Sequence, residues 1–177
     1  MTDKEFKAVN IAVLTISDSR TLADDRSGDT LVDRVLSAGH VLADRAIVTD
    51  DVELIVAKFH EWINDPGVDV VLSTGGTGVT GRDVTPEALA QVVEKDIPGF
   101  GELFRWISYQ KIKTSTIQSR AAAGVARDTY LFVLPGSPGA CKDAWDEILV
   151  HQLDIRHKPC NFVELMPRLS EGRSTTG

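Results

Sequence analysis

A chain of 177 residues with 42% hydrophobic and 25% charged side chains has the make-up of one globular domain. At that size it buries roughly 70% of its unfolded surface, so folding needs neither a disulfide nor a metal. A net charge of -7 excludes general nucleic-acid affinity, which wants a basic face, and no apolar run approaches the ~20 residues of a membrane span.

The start, Met1 to Glu5, lacks the apolar stretch of a signal peptide, and the expected location is the cytoplasm. Val9 to Ile16 reads as a first strand, apolar on both faces like the middle of a covered sheet. Ser17, Asp18, Ser19 and Arg20 follow. Small polar groups at the carboxyl end of a strand either bind ligand or form a serine turn, and both readings stand. A helix capped by Ser27 or Asp29 carries Leu31, Val32, Val35 and Leu36 inward and ends at Gly39. Val41 to Val48 is a second strand, placed at an edge because Asp44 and Arg45 interrupt it. Asp50 and Glu53 then fit a capping box for a helix running to about Asn64. Asp50 is either that cap or an acid facing a ligand or Mg²⁺.

After the turn Asp65-Pro66-Gly67, Val68 to Leu72 is a buried parallel strand. The stretch that follows, Ser73 to Glu87, dominates the chain. It holds four glycines, Gly75, Gly76, Gly78 and Gly81, with Thr74, Thr77, Thr80, Arg82 and Asp83 among them. Glycines let backbone amides approach a ligand, and amides beside a helix start make an anion site. The expected anion is a phosphate. Thr85, Pro86 and Glu87 read as N-cap, N1 and N2 of the next helix. The spacing fits neither a dinucleotide fingerprint nor a Walker loop, because the helix opens late and no Gly-Lys-Ser/Thr follows.

That helix is expected to reach Asp96, with Pro98-Gly99 breaking it and a further helix over 102–109 turning Leu103, Trp106 and Ile107 inward. Thr114 to Arg120 reads as the polar approach to a small-residue helix, Ala121 to Ala126, suited to close packing between subunits. Ser119 and Arg120 can reach a phosphate there, and a solvated face for the arginine is the equal alternative. Thr129 to Leu134 is a strong strand, followed by Pro135, Gly136 and Ser137 and a helix through Trp145, Ile148 and Leu149. Two such loops form opposing walls of one crevice. Cys141 and Cys160 read as buried small apolar residues, and the four histidines show no zinc spacing. The expected organisation is an extension over 1–8, a domain over 9–162 and a flexible tail over 163–177.

Thr74-Gly75-Gly76-Thr77-Gly78, Arg82 to Ala88 and Leu134 to Pro138 resemble the MoaB/MogA family of molybdenum cofactor biosynthesis. Ser115 to Ala121, Ala140 to Trp145 and Lys158 to Phe162 resemble its MoaB branch in particular. The resemblance implies an α/β fold of three layers, α/β/α, around a mostly parallel sheet, the molybdopterin-binding fold. It implies binding of molybdopterin and adenylylation of its phosphate by Mg-ATP, with Asp50 and Asp83 on the functional acidic positions and either one holding Mg²⁺. The expected substrate-binding set is Ser17, Asp18, Ser19, Thr74, Gly75, Gly76, Thr77, Gly78, Arg82, Pro86, Glu87, Ser115, Ser119, Arg120, Pro135, Gly136 and Ser137. The resemblance further implies a homo-oligomer, trimer or hexamer, working with other proteins of the pathway. The alternative is a non-catalytic molybdopterin-binding scaffold.

Overall fold

The computed structural model describes residues 4–173. The strands are β1 Asn10–Ile16, β2 Val41–Val48, β3 Val70–Thr74, β4 Lys95–Asp96, β5 Ala122–Ala126 and β6 Thr129–Leu134. They make one sheet in the order β2-β1-β3-β6-β5-β4. The first four in that order run parallel, β5 pairs antiparallel to β6, and β4 pairs antiparallel to β5 at the edge. The helices are α1 Arg26–Ser37, α2 Val52–Ile63, α3 Thr85–Val92, α4 Pro98–Ile112, α5 Pro138–Ala144, α6 Val150–Gln152 and α7 Phe162–Leu165.

Strand alternation divides the interior in two. Ile11 and Val13 of β1 face one core, shared with Leu31 and Val35 of α1, Phe100 and Phe104 of α4 and Cys141 of α5. Ala12, Leu14 and Ile16 face the other, shared with Ile55, Phe59 and Trp62 of α2 and Ala88 and Leu89 of α3. Side chains two apart share a face, so a strand apolar at every position feeds both layers. The result is the expected three-layer α/β/α arrangement around a mostly parallel sheet. Among the described residues no helix is long and apolar enough to cross a membrane.

Several local expectations are corrected. β3 begins at Val70, because the Val68 amide closes the preceding turn on the Asp65 carbonyl. The Ala121–Ala126 run is strand β5, not a helix. It pairs with β6 on one side and with β4, which sequence patterning missed, on the other. Its small residues serve packing within the chain: a Cβ on Gly124 would stand 2.5 Å from Val93 Cγ1 and 2.9 Å from the Lys95 carbonyl. α3 therefore stops at Val92 rather than Asp96, as the chain turns into β4. α4 starts at Pro98, and its buried stripe is Phe100, Phe104 and Ser108, leaving Leu103 and Trp106 exposed. Cys141 is buried but Cys160 is exposed.

The caps differ too. Asp25, not Ser27 or Asp29, caps α1 by accepting the Gly28 amide. Asp51, not Asp50, caps α2 by accepting the Leu54 amide. The boundary drawn at residue 162 falls inside α7, whose Val163 belongs to the first core. The segment from Ser170 continues in the described residues to Arg173, which contacts Glu94 and Asp128; residues 174–177 lie outside the description.

Candidate active site

The parallel strands end together, and their carboxyl ends hold the glycine loop, the Pro135–Ser137 loop and the turns after β1 and β2. The two principal loops are tied to each other. The Gly75 amide donates to the Leu134 carbonyl at 3.0 Å, and the Thr74 hydroxyl donates to the Pro135 carbonyl at 2.9 Å. Thr74 is thus fully buried and joins the walls rather than lining the space between them.

Gly75 and Gly76 turn the chain with φ of +109° and +65°, where a side chain is strained. A Cβ on Gly75 would also strike the Ile16 carbonyl at 2.2 Å. Thr85 secures the turn from below. Its buried hydroxyl donates to the Gly75 carbonyl at 2.8 Å, and its amide donates to the Gly76 carbonyl at 3.0 Å. The expected N-cap role is therefore corrected: Val84 stands at the cap without a side-chain bond, and Thr85 is spent on the loop. Among the described residues the amides of Gly76 and Thr77 meet no acceptor. They are the donors an anion would use.

Asp50 and Asp83 flank this turn. Asp50 Oδ1 lies 3.2 Å from where a Cβ on Gly76 would stand, and Asp83 Oδ2 lies 2.7 Å from the same point on Gly78. Their environments differ. Thr80 donates its amide at 2.9 Å and its hydroxyl at 2.7 Å to Asp83 Oδ2, and these bonds hold that carboxyl below its ordinary range. No side chain donates to the Asp50 carboxylate among the described residues, and burial, then the neighbouring Asp18 charge, push it above the ordinary range.

A cleft of about 370 Å³ opens from the turn between the loops. Gly76, Thr77, Gly78 and Asp83 form its floor, and Pro135, Gly136 and Ser137 form the facing wall. Ser137 also caps α5 by accepting the Ala140 amide. Ser119 and Gln118 close one end, while Phe104, Ser108 and Ile112 of α4 supply an apolar side. Sequence reading missed that α4 contribution. The signal was present in the i, i+4, i+8 spacing of 104, 108 and 112, which places all three on one helix face.

Other sequence-chosen residues fall elsewhere. Arg120 is engaged with the loop itself: it donates to the Gly78 and Asp83 carbonyls at 2.7 Å each and pairs with Glu87. Those bonds occupy most of the guanidinium and make Arg120 and Glu87 a clamp on the loop. Ser17 Oγ accepts the amides of Ser19 and Arg20, the serine-turn alternative. Asp18 pairs with Arg82, and that bonding holds the Asp18 carboxyl below its ordinary range. Asp18 lines a separate hollow with Ser17, Arg20 and the end of β2. Ser115, Ser19 and Pro86 line neither space.

A mostly parallel sheet with two tied glycine loops at its carboxyl ends, and two acids beside one of them, defines an α/β domain with a ligand crevice at the ends of its strands. The chain belongs to the family described as "Probable molybdopterin binding domain", whose model matches residues 12–155. It is 49% identical over 158 residues to "Molybdenum cofactor biosynthesis protein B" of Escherichia coli (strain K12), covering 89% of this chain and 93% of that protein. Against the protein of the same name from Bacillus subtilis (strain 168) it is 40% identical over 146 residues, covering 82% and 86%. Among solved structures, a "Molybdenum cofactor biosynthesis protein B" superposes with a TM-score of 0.85 at 38% identity, over 94% of this chain and 98% of that one. A tungsten cofactor synthesizing protein MoaB from Pyrococcus furiosus superposes at 0.72 with 35% identity, over 81% and 91%. The protein is thus one of molybdenum cofactor biosynthesis with a molybdopterin-binding domain.

Proposed function

We propose that the protein is a molybdopterin adenylyltransferase using Mg-ATP. A phosphate oxygen of molybdopterin attacks the α-phosphorus of ATP, the bond from that phosphorus to the α,β-bridging oxygen breaks, and pyrophosphate leaves with the bridging electrons. The observation that carries the reading is the placement of the Asp50 and Asp83 carboxylates against Gly76 and Gly78, on either side of amides with no protein acceptor. Such transfer is dominated by in-line positioning and charge neutralisation, so loop amides and acids that hold a cation suffice without a covalent nucleophile.

The donor set suits Mg²⁺ arriving with the nucleotide. Among the described residues no three acidic, histidine or cysteine side chains gather as a metal cage. Mg²⁺ is commonly held by one or two carboxylates with phosphate oxygens completing the shell. Asp50, free of side-chain donors, is the better direct ligand. Asp83, fixed by Thr80, is the better orienter of substrate in the 370 Å³ cleft. The reading includes a cytoplasmic homo-oligomer, trimer or hexamer. The exposed apolar side chains Leu103, Trp106 and Ile117 support that association.

Incubation with molybdopterin, ATP and Mg²⁺, read for pyrophosphate and adenylylated pterin, tests the proposal. No product where an active adenylyltransferase control gives it would remove the reading. Tight molybdopterin binding without ATP-dependent product would instead select the non-catalytic scaffold.

A further inference from the structure

Arg82 leaves the glycine loop and crosses to the turn after β1, where its guanidinium donates to both oxygens of Asp18 at 2.6–3.0 Å. The same carboxylate accepts the backbone amide of Asp50 at 3.1 Å. One ion pair therefore spans two loops and touches the chain at the unsatisfied acid. Its side chains are reachable, 67% exposed for Arg82 and 47% for Asp18. Beside it lies a hollow of about 440 Å³ lined by Ser17, Asp18, Arg20, Thr21 and the end of β2.

A guanidinium presents the same planar pair of donors to a carboxylate and to a phosphate. An exposed pair is weakened by water and salt, so a polyphosphate with higher charge can displace the carboxylate. The acids around Arg82, namely Asp18, Asp50 and Asp51, would repel such an anion if the guanidinium stayed neutralised.

We propose that Asp18 occupies Arg82 in place of a nucleotide's polyphosphate, and that Arg82 exchanges Asp18 for phosphate oxygens when the nucleotide binds at this hollow. Asp18 then sets nucleotide affinity by competing for one cation, while its bond to the Asp50 amide keeps that acid in register. Arg82 serves the nucleotide half of the reaction and not the pterin half. The inference rests on the reading that a nucleotide enters this site.

The test is a calorimetric titration of tripolyphosphate with Mg²⁺ into wild type, Asp18→Asn, Arg82→Met and the double variant. Asn at 18 keeps an acceptor for the Asp50 amide. The expected result is binding about three- to tenfold tighter for Asp18→Asn and about tenfold weaker for Arg82→Met, the scale of one charge-assisted hydrogen bond. In the Arg82→Met background the Asp18 substitution then changes little, because its competitor's target is gone. Equal tightening in both backgrounds would mean simple removal of negative charge and would overturn the exchange while leaving the nucleotide reading intact. Absence of wild-type binding would overturn both.

Discussion

Asp25 and Asp50 stand near the carboxyl ends of neighbouring strands, and the fold treats them in opposite ways. Asp25 is fully buried. It accepts the Thr15 hydroxyl at 2.6 Å, the Gly28 amide at 3.0 Å and the Arg45 guanidinium at 3.0 Å. Burial pushes its carboxyl up, but those donors outweigh it, and the net position is below the ordinary range. Asp50 is only half-buried, yet it has no side-chain donor and sits above the ordinary range. A buried charge with partners is part of the scaffold. A charge the protein leaves uncompensated beside open amides is where an outside cation gains most.

The sharpest way to break this contrast is catalytic. Asp50→Asn and Asp83→Asn are expected to lower turnover by on the order of 10²–10³-fold or more, the scale of losing one preorganised electrostatic group. Pyrophosphate release measures it. An Asp50→Asn protein that turns over normally would show that the unsatisfied acid has no chemical task.

Asp25→Ala should act on stability. It leaves Arg45, whose buried Nε already lacks a partner, paired with Asp29 alone, and leaves the Thr15 hydroxyl and the Gly28 amide without their acceptor. Losing a helix cap and leaving a buried hydroxyl unpaired costs about 2–4 kcal/mol, a fall in Tm of roughly 4–16 °C for this chain length. The pH dependence has a fixed sign. Because the folded carboxyl titrates below its unfolded value, its stabilisation is present above the unfolded value of about 3.9. It is lost as pH falls through the folded one. Thermal melts of wild type and variant should therefore converge in acid.

Thr85→Val tests the loop from beneath. It removes a buried donor to the Gly75 carbonyl, at about 1–3 kcal/mol, and loosens the turn carrying both site amides. Thr85→Ser should recover both the melting temperature and turnover.

The central sheet was legible because β1 and β6 are apolar at nearly every position, which only a doubly covered strand allows. The glycine loop was legible because its spacing demands close backbone approach. What could not be read is what depends on partners far along the chain. Ala122–Ala126 has helix-forming alanines, and only pairing with β6 and β4 makes it a strand. Arg120 looked like a phosphate ligand because its type and position fit one; its donors are taken by carbonyls 37 and 42 residues away. Asp25 drew no notice, since its partners Thr15 and Arg45 come from two different strands.

The smallest effect is the most discriminating. A carboxyl whose folded value is raised disfavours the fold while ionised, so Asp50 subtracts stability at neutral pH. The penalty vanishes as pH falls through that raised value. Asp50→Asn should therefore raise Tm at pH 7 by no more than a few degrees, with the gain over wild type shrinking in acid. Asp83 has the opposite sign. Held low by Thr80, it adds stability above its unfolded value and loses it only as pH falls through the folded one. Asp83→Asn should then lower Tm at pH 7. Scanning calorimetry of both variants reads the difference directly. If Asp50→Asn melts lower than wild type at neutral pH, Asp50 is held by the fold much as Asp25 is, and its unsatisfied state is not the feature that marks the site.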